Sequence, residues 1–259
     1  MISSKDNQLI KEVRKLREKK YRTQNKSFIV EGFRFFEEAL KSNSSINKVF
    51  IEGKNLNKLE ELYQKYNINS DIETYVVNYS VLKSISNTEN PQGIVSVINY
   101  FKKEKLDLQN GFYILVDKVQ DPGNMGTIIR TAHAAGALGI ITTKGTVDVY
   151  NEKTLRSTMG SIFYIPIIED ENLEAVKSLQ RNGFKLLVSS LDTNSNFYDV
   201  NMKDNMIIAV GNEGNGISED LNSLSDIKVK IPMPGAAESL NVAVACSIMT
   251  FERVRQINK

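Results

Sequence analysis

Two hydrophobic patterns alternate along the chain. Short apolar runs rich in Val, Ile and Phe are typical of strands, and longer segments with apolar residues three or four positions apart are typical of helices. In the first half this pattern predicts a basic N-terminal helix, strands at 27–30, 47–52, 73–77 and 93–98, and helices at 31–42, 56–66 and 79–85. The alternation indicates a small α/β domain over residues 1–100.

The second half has longer and more continuously apolar strands. The pattern predicts strands at 112–116, 139–143, 162–168, 184–190, 206–211 and 226–233, and helices at 124–136, 150–161, 171–182 and from about 240 onward. Fully apolar strands between helices are typical of a parallel sheet covered on both faces, so we expect an α/β domain over 112–259. The charged stretch before it has no apolar period, and we assign 101–111 as a linker.

Charge is distributed unevenly along the 259 residues. The chain has a net charge of +2, but residues 1–26 hold nine Lys or Arg against three acidic residues, a net +6, so the remainder is −4. A basic arm on an acidic body indicates a polyanion partner such as RNA. An ordinary amphipathic helix with a solvated face would show the same pattern. The candidate phosphate contacts are Lys11, Arg14, Arg17, Lys19, Lys20 and Arg22.

Several classes of protein do not fit the composition. A single cysteine, Cys246, excludes an internal disulfide, and with one histidine it leaves no plausible zinc cluster, so no metal is expected. The longest apolar run, 242–251, is too short to span a bilayer. The N-terminal residues lack the apolar core of a signal peptide. We therefore expect a cytoplasmic protein without a membrane segment.

Three loops after strands are candidates for chemistry, because ligands of parallel sheets bind beyond the carboxyl ends of the strands. In the first, 117–136, Pro122 and Gly123 force a turn, Asn124 can cap the next helix, and Arg130 follows six residues later. Arg130 is interpreted as a donor fork for phosphate or an oxyanion, with a surface arginine as the alternative. His133 is interpreted as a packed or solvated residue rather than a general base.

The second loop, 207–221, contains three glycines within six residues, which lets backbone amides approach a ligand closely. Its spacing is neither the dinucleotide fingerprint nor a phosphate loop. Glu213 is its informative residue, because a carboxylate among glycines at a strand end has little packing purpose.

The third loop, 231–241, is stiffened by Pro232 and Pro234 and opens an apolar helix. Ser239 and Asn241 lie at the start of that helix. They are typical helix caps, and they can also direct polar groups toward a ligand.

The segments "NMGTIIRTA", "GNEGNGIS" and "IPMPGAAESLNVAVA" resemble the three ordered motifs of the SpoU family of RNA ribose 2′-O-methyltransferases, within the SPOUT class. Together they span residues 124–245. The segment "FIVEGFRFFEEAL" extends the resemblance to the family's N-terminal RNA-binding domain. The resemblance implies a parallel sheet with a C-terminal trefoil knot, a homodimer, and S-adenosyl-L-methionine bound in the knot.

The same resemblance implies roles for particular residues. It associates Asn124, Arg130, Glu213, Ser239 and Asn241 with catalysis and substrate positioning. It also implies a cofactor pocket formed by Ser189, Ser190, Leu191, Gly211, Asn212, Ile231, Met233, Ser239 and Leu240.

The sequence thus predicts an enzyme that methylates a ribose 2′-hydroxyl of structured RNA, with large-subunit ribosomal RNA as the favoured substrate. Arginine is effectively always protonated, so we expect Arg130 to stabilise negative charge while phosphate or water accepts the proton. Transfer RNA methylation and a non-catalytic ribosome-assembly factor are alternatives within this scaffold. An antibiotic-resistance enzyme and a dinucleotide-dependent oxidoreductase are further alternatives.

Overall fold

The computed structural model describes residues 1–68, 72–86, 88–100, 106–190, 193–235 and 237–258. These residues form two compact units, one of Met1–Phe101 with Tyr150–Phe163 and one of Lys102–Val149 with Tyr164–Lys259. The first unit therefore includes a segment that the sequence analysis assigns to the second domain. Residues 101–105 of the predicted linker lie outside the described residues.

The first unit contains a four-stranded sheet in the order β1-β4-β2-β3. Strand β4 is antiparallel to β1 and β2, whereas β2 and β3 are parallel. The predicted elements of this half are present, except that the basic N-terminal segment forms two helices. The bounds are α1 Gln8–Lys15, α2 Lys19–Asn25, β1 Ser27–Glu31, α3 Phe33–Lys41, β2 Ile46–Glu52, α4 Leu56–Lys65, β3 Glu73–Val77, α5 Tyr79–Ile85, β4 Ile94–Asn99 and α7 Glu152–Thr158.

Both faces of this sheet are covered. The apolar stripe of α1, with Ile10 and Val13 buried, packs in one cluster with Leu82 of α5. On the other face Phe36 of α3 and Leu59 of α4 pack in a cluster with strand residues of β2 and β4. Helical spacing of these residues produces the apolar stripes that bury against the strands.

The second unit contains a six-stranded sheet in the order β10-β8-β9-β5-β6-β7, and every neighbouring pair is parallel. The predicted parallel sheet is confirmed. The bounds are β5 Phe112–Val116, α6 Pro122–Ala134, β6 Gly139–Thr142, β7 Ile167–Glu169, α8 Glu174–Arg181, β8 Lys185–Ser189, β9 Met206–Val210, α9 Glu219–Leu224, β10 Ile227–Val229 and α10 Val242–Ile257.

Helices cover both faces of the parallel sheet. Tyr113 of β5 is in one buried cluster with Val176 and Leu179 of α8. The neighbouring residue Phe112 must point to the opposite face, and there the Arg253 guanidinium of α10 lies 5.1 Å from its ring centroid. Helices α6 and α10 pack against each other. Each face of the central strands is therefore shielded from water.

Two elements differ from the sequence-based expectation. The run 162–168 is not one strand, because Ser161–Phe163 forms a 3₁₀ turn and β7 begins only at Ile167, after a proline that has no amide hydrogen to donate. Helix α9 was not predicted. It has six residues, of which only Leu221 is buried, and so carries no readable helical period. No helix of the described residues is long and apolar enough to cross a membrane.

Candidate active site at the carboxyl edge of the parallel sheet

A cavity of about 730 Å³ lies beyond the carboxyl ends of β8, β9 and β10. This volume is in the range of small-molecule sites, roughly 300–1,000 Å³. Every described residue predicted for the cofactor pocket lines it, namely Ser189, Ser190, Gly211, Asn212, Ile231, Met233, Ser239 and Leu240. The remaining predicted residue, Leu191, lies outside the described residues. The cavity mixes apolar side chains with hydroxyl, amide and backbone polar groups, a composition that suits an adenosyl compound.

The glycine-rich turn after β9 forms one wall of this cavity. A Cβ atom on Gly211 would lie 2.2 Å from the carbonyl carbon of Gly216, so no other residue fits without moving the backbone. The turn closes through two hydrogen bonds, from the Asn212 amide to the Gly216 carbonyl and in the reverse direction, both 2.9 Å. Gly216 has a φ of +66°, which glycine adopts most readily. The turn therefore presents backbone rather than side chain to a ligand.

Asn212 fixes this turn on the sheet. Its side-chain oxygen accepts from the amides of Gly214 and Asn215, each at 3.0 Å. Its side-chain nitrogen donates to the carbonyl of Lys118 at 2.8 Å, in the loop that follows β5. The loops after β5 and β9 are thereby joined, which holds the cavity wall in one position.

Three of the predicted catalytic residues form a hydrogen-bonded chain. Asn124 Nδ2 donates to Glu213 Oε1 at 3.0 Å, and Asn241 Nδ2 donates to Asn124 Oδ1 at 2.9 Å. Asn241 Oδ1 in turn accepts from the amides of Ala243 and Val244 at 2.9 and 3.3 Å and caps α10. The chain connects the starts of α6 and α10 with the glycine-rich turn.

The direction of the chain follows from the charge of Glu213. An ionised carboxylate only accepts hydrogen bonds, so the Asn124 amide must turn its nitrogen toward Glu213 and its oxygen toward Asn241. Glu213 also accepts from the backbone amides of Gln120 and Asp121, both at 3.3 Å. Burial acts to raise the pKa of Glu213, but the hydrogen bonds from Asn124 and from backbone amides outweigh it and lower the pKa below its ordinary value. The carboxylate is therefore ionised at neutral pH.

Ser239 and Asn241 have different positions at the third loop. Both line the cavity, but only Asn241 caps the helix. Ser239 makes no hydrogen bond with any residue in the described ranges, and its exposed side chain borders the cavity. Its hydroxyl is thus available to a ligand.

Arg130 does not lie with these residues in the single chain. It is exposed on α6, does not line the cavity, and has no hydrogen bond or ion pair with a described residue. A helix turns by about 100° per residue, so six residues place Arg130 on a different face from Asn124. The expected guanidinium beside the cavity is therefore not found within one copy. The His133 ring, one turn further, stacks on Tyr164 with centroids 4.7 Å apart.

Sequence reasoning missed Asp117, which follows β5 directly. Only 1% of its surface is exposed, and its carboxylate accepts from Thr143 Oγ1 and from the Ser218 amide, both at 2.7 Å. It ties the loops after β5, β6 and β9 together beneath the cavity. An acidic residue at the end of a fully apolar strand was the available signal.

The basic residues of the first unit divide into two groups. Lys11, Lys19 and Lys20 are exposed, and Arg14 is partly buried. Arg17 donates to the carbonyls of Ser84 and Ser86 at the end of α5. Burial, with the nearby Arg14 charge, lowers the pKa of Arg17.

Arg22 corrects one expectation. It is 6% exposed and donates to the carbonyls of Leu16 and Arg17 at 2.8 and 2.5 Å, so it stabilises the end of α1 and is not an open phosphate contact. No cluster of His, Cys, Asp or Glu that could hold a metal ion occurs among the residues described.

A parallel sheet with helices on both faces and a glycine-walled cavity beyond its carboxyl edge defines an α/β protein that binds a small ligand there. Comparison with known proteins identifies the class. Residues 111–251 match the SpoU rRNA Methylase family model, and residues 7–96 match the model of an MRM3-like substrate binding domain.

Individual relatives agree with this match. The chain is 35% identical over 250 residues to the 23S rRNA (guanosine(2553)-2′-O)-methyltransferase RlmP of Bacillus subtilis, covering 96% of this chain and 97% of that protein. An AdoMet-bound rRNA methyltransferase from Sinorhizobium meliloti is 31% identical, with a TM-score of 0.87 and coverage of 99% and 97%. The SpoU methyltransferase AviRb from Streptomyces viridochromogenes, in complex with AdoMet, is 26% identical, with a TM-score of 0.86 and coverage of 98% and 99%.

The chain belongs to the SpoU rRNA methylase family. The family identified from the three sequence motifs is thereby confirmed.

Proposed function

We propose that this protein transfers a methyl group from S-adenosyl-L-methionine to a ribose 2′-hydroxyl of large-subunit ribosomal RNA. The carrying observation is the cavity itself, whose wall is joined to the Asn124–Glu213–Asn241 chain. Membership of the family and the AdoMet-bound structural relatives confirm the predicted enzyme class and methyl donor.

The proposed substrate is the segment of 23S rRNA that contains guanosine 2553. The support is the similarity to the Bacillus subtilis enzyme of that name along almost the full length of both chains. The test is incubation of the purified protein with labelled S-adenosyl-L-methionine and transcripts of 23S rRNA, followed by mapping of 2′-O-methyl groups. We expect one modified ribose, at the equivalent of guanosine 2553. Label in transfer RNA instead, or RNA binding without any transfer, would refute the proposal.

The cofactor would be held by backbone and small side chains. Gly211 and the turn after it provide a wall without side chains, and Ile231 and Leu240 provide apolar surface on the other side of the cavity. Ser189 and Ser190 line the cavity at the end of β8. When bound, S-adenosyl-L-methionine supplies an activated methyl group that the ribose oxygen accepts.

The protein's own residues would act by positioning and by stabilising charge. Glu213 orients Asn124, because its carboxylate fixes the sense of the amide chain. Asn241 transmits that order to the start of α10, and Ser239 offers a hydroxyl to the substrate or the donor. Arg130 binds the phosphate beside the target ribose and stabilises the developing oxyanion, while phosphate or water accepts the proton.

Arg130 can take this role if the active protein is a homodimer. Val244 and Phe251 of α10 are each 47% exposed and lie seven residues apart, on one face of the helix. Exposed apolar side chains on a helix that packs against α6 suit an isologous contact with a second copy. In that arrangement Arg130 of one copy would reach the cavity of the other.

The trefoil knot is a further part of the proposal. Strand β10 lies at the sheet edge, and its continuation is bonded to the segment after β8, from the Lys230 amide to the Ser195 carbonyl and from the Phe197 amide to the Lys230 carbonyl. The chain then returns to the centre of the sheet, where α10 packs on β9. These contacts suit threading of the C-terminal segment through the 190–199 loop.

We assign RNA binding to residues 1–100, with 101–111 as the linker and 112–259 as the cytoplasmic enzyme's catalytic domain. The match to a substrate binding domain over 7–96 supports this division. The exposed Lys11, Lys19 and Lys20, with Arg14, would contact RNA phosphates. Replacing all three lysines by alanine should weaken RNA binding and reduce its salt dependence by roughly 0.7–0.9 per lost contact. An unchanged salt slope would exclude this surface.

A further inference from the structure

Lys118 has an unusual backbone for a lysine. Its φ is +56°, the left-handed region that glycine and asparagine adopt at little cost and that strains other residues. Its side chain is exposed and therefore adds nothing to the core. A glycine would relieve this strain without removing a buried contact.

The backbone of Lys118 is held by its surroundings. Its amide donates to Thr143 Oγ1 at 3.2 Å and to Thr146 Oγ1 at 3.1 Å. Its carbonyl accepts from Asn212 Nδ2 at 2.8 Å and from Gln120 Nε2 at 3.2 Å. The fold is thus satisfied through the main chain, and the ammonium group remains free for another purpose.

A second lysine lies on the neighbouring turn. Lys144 is exposed in the turn closed by the bond from the Thr146 amide to the Thr143 carbonyl, 3.1 Å. A Cβ atom on Gly145 would lie 3.6 Å from Lys118 Cγ, so the stem of Lys118 passes over this turn. In the described part of the chain, neither ammonium group forms an ion pair or a hydrogen bond.

Both charges belong to the active-site edge but not to the cavity. Gln120, two residues after Lys118, gives its backbone amide to Glu213. Neither lysine lines the cavity, so the methyl donor does not account for them. Two ammonium groups with donors only and without acidic partners suit an anion outside the cavity.

We propose that Lys118 and Lys144 form a phosphate subsite that binds the RNA backbone beside the target ribose. This inference rests on the proposed function, because it takes RNA as the substrate. Lysines act as point charges for phosphate, and such contacts fix the register of a nucleic acid without reading its sequence. The subsite would set which ribose enters the cavity, in addition to the affinity from the N-terminal helices.

The test uses the full chain with Lys118→Gly, Lys144→Ala and the double variant. The control is Lys203→Ala, an exposed lysine before β9, at the opposite edge of the same sheet. The probe is a fluorescent transcript of the 23S rRNA segment, with its dissociation constant followed by anisotropy against KCl. We expect each lysine variant to bind about fivefold more weakly and its log–log salt slope to fall by roughly 0.7–0.9, with additive changes in the double variant.

Two further measurements separate this role from a structural one. The thermal midpoint of Lys118→Gly should not fall, because the strain is relieved, and Lys118→Asn should behave in the same way. The affinity for S-adenosyl-L-methionine should be unchanged in all variants. An RNA affinity and salt slope equal to those of the wild type would overturn the subsite, as would loss of donor binding in place of RNA binding. Since the readout is binding, failure of methyl transfer by the wild type would refute the proposed function separately.

Discussion

Asn241 donates its side-chain amide to the side-chain oxygen of Asn124 at 2.9 Å, although 117 residues separate them. This contact joins the first turn of α6 to the cap of α10. Through Asn124 it reaches Glu213 on the glycine-rich turn. Three loops that are distant in sequence therefore share one hydrogen-bonded chain, and each member can be tested by a change of one atom.

Asn124→Asp should abolish most activity while retaining the size of the side chain. It replaces the amide nitrogen that faces Glu213 by an oxygen, and two carboxylates at that distance repel each other. We expect a fall in kcat of about a hundredfold or more and a loss of roughly 1–3 kcal/mol in the free energy of unfolding. Methyl-transfer kinetics and urea unfolding measure these changes.

The matched control is Asn172→Asp, an exposed asparagine before α8. It adds the same negative charge to the same unit and should leave both quantities within error. Equal effects of the two substitutions would show that charge, rather than the Asn124–Glu213 contact, is responsible.

Glu213→Gln should separate the wild type and variant in a pH-dependent way. The folded-state pKa of Glu213 is lowered, so its contribution to stability is present above the unfolded pKa, about 4.3, and is lost as the pH falls through the lower folded value. We expect a constant difference in thermal midpoint from pH 8 to pH 5 and a decreasing difference below about pH 4. A difference that instead varied between pH 6 and 8 would contradict the lowered pKa.

The loops could be recognised from the sequence because their signals are local. Glycines at 211, 214 and 216 and the prolines of the third loop mark backbone positions that need space or stiffness. Those signals placed the cavity wall at the correct residues. The apolar runs located the strands of the parallel sheet for a similar reason, since burial on both faces leaves an unbroken apolar pattern.

Other features depend on contacts between distant segments, which no local pattern records. Arg22 looked like one more charge on a basic arm, but the break between α1 and α2 turns it back onto the Leu16 carbonyl. Asp117 acquires its role only when Thr143 and Ser218 arrive from other loops. Arg130 could be assigned a chemistry, but not a position, because helix phase separates it from Asn124.

Gly211→Ala should damage the cavity through backbone displacement. The added methyl group would lie 2.2 Å from the Gly216 carbonyl carbon, so the turn must open. We expect a loss of about 1–3 kcal/mol in stability and at least a tenfold weaker affinity for S-adenosyl-L-methionine, measured by calorimetry. Gly235→Ala is the control, since its Cβ would meet nothing within 4 Å, and it should bind the donor normally.

Cys246 should be protected from thiol reagents in the native state. It is fully buried in α10, and burial raises the pKa of its thiol to about 12. The reactive thiolate is therefore scarce at neutral pH, and labelling by iodoacetamide should proceed at the rate of unfolding. Labelling in native buffer as fast as in urea would show that α10 opens locally.

Mixed dimers test whether Arg130 serves the cavity of a second copy. Arg130→Ala and Asn241→Ala should each be inactive alone, because each removes one part of every site. In a composite site, a dimer with one copy of each variant keeps one complete pair, Asn241 from one copy and Arg130 from the other. Random exchange should then restore about a quarter of wild-type activity, since half of the dimers are mixed and each has one intact site of two. The variants are co-refolded at equal concentrations, methyl transfer to the rRNA transcript is measured, and each variant refolded alone is the control. Activity no higher than that of either variant alone would place Arg130 outside the partner's site.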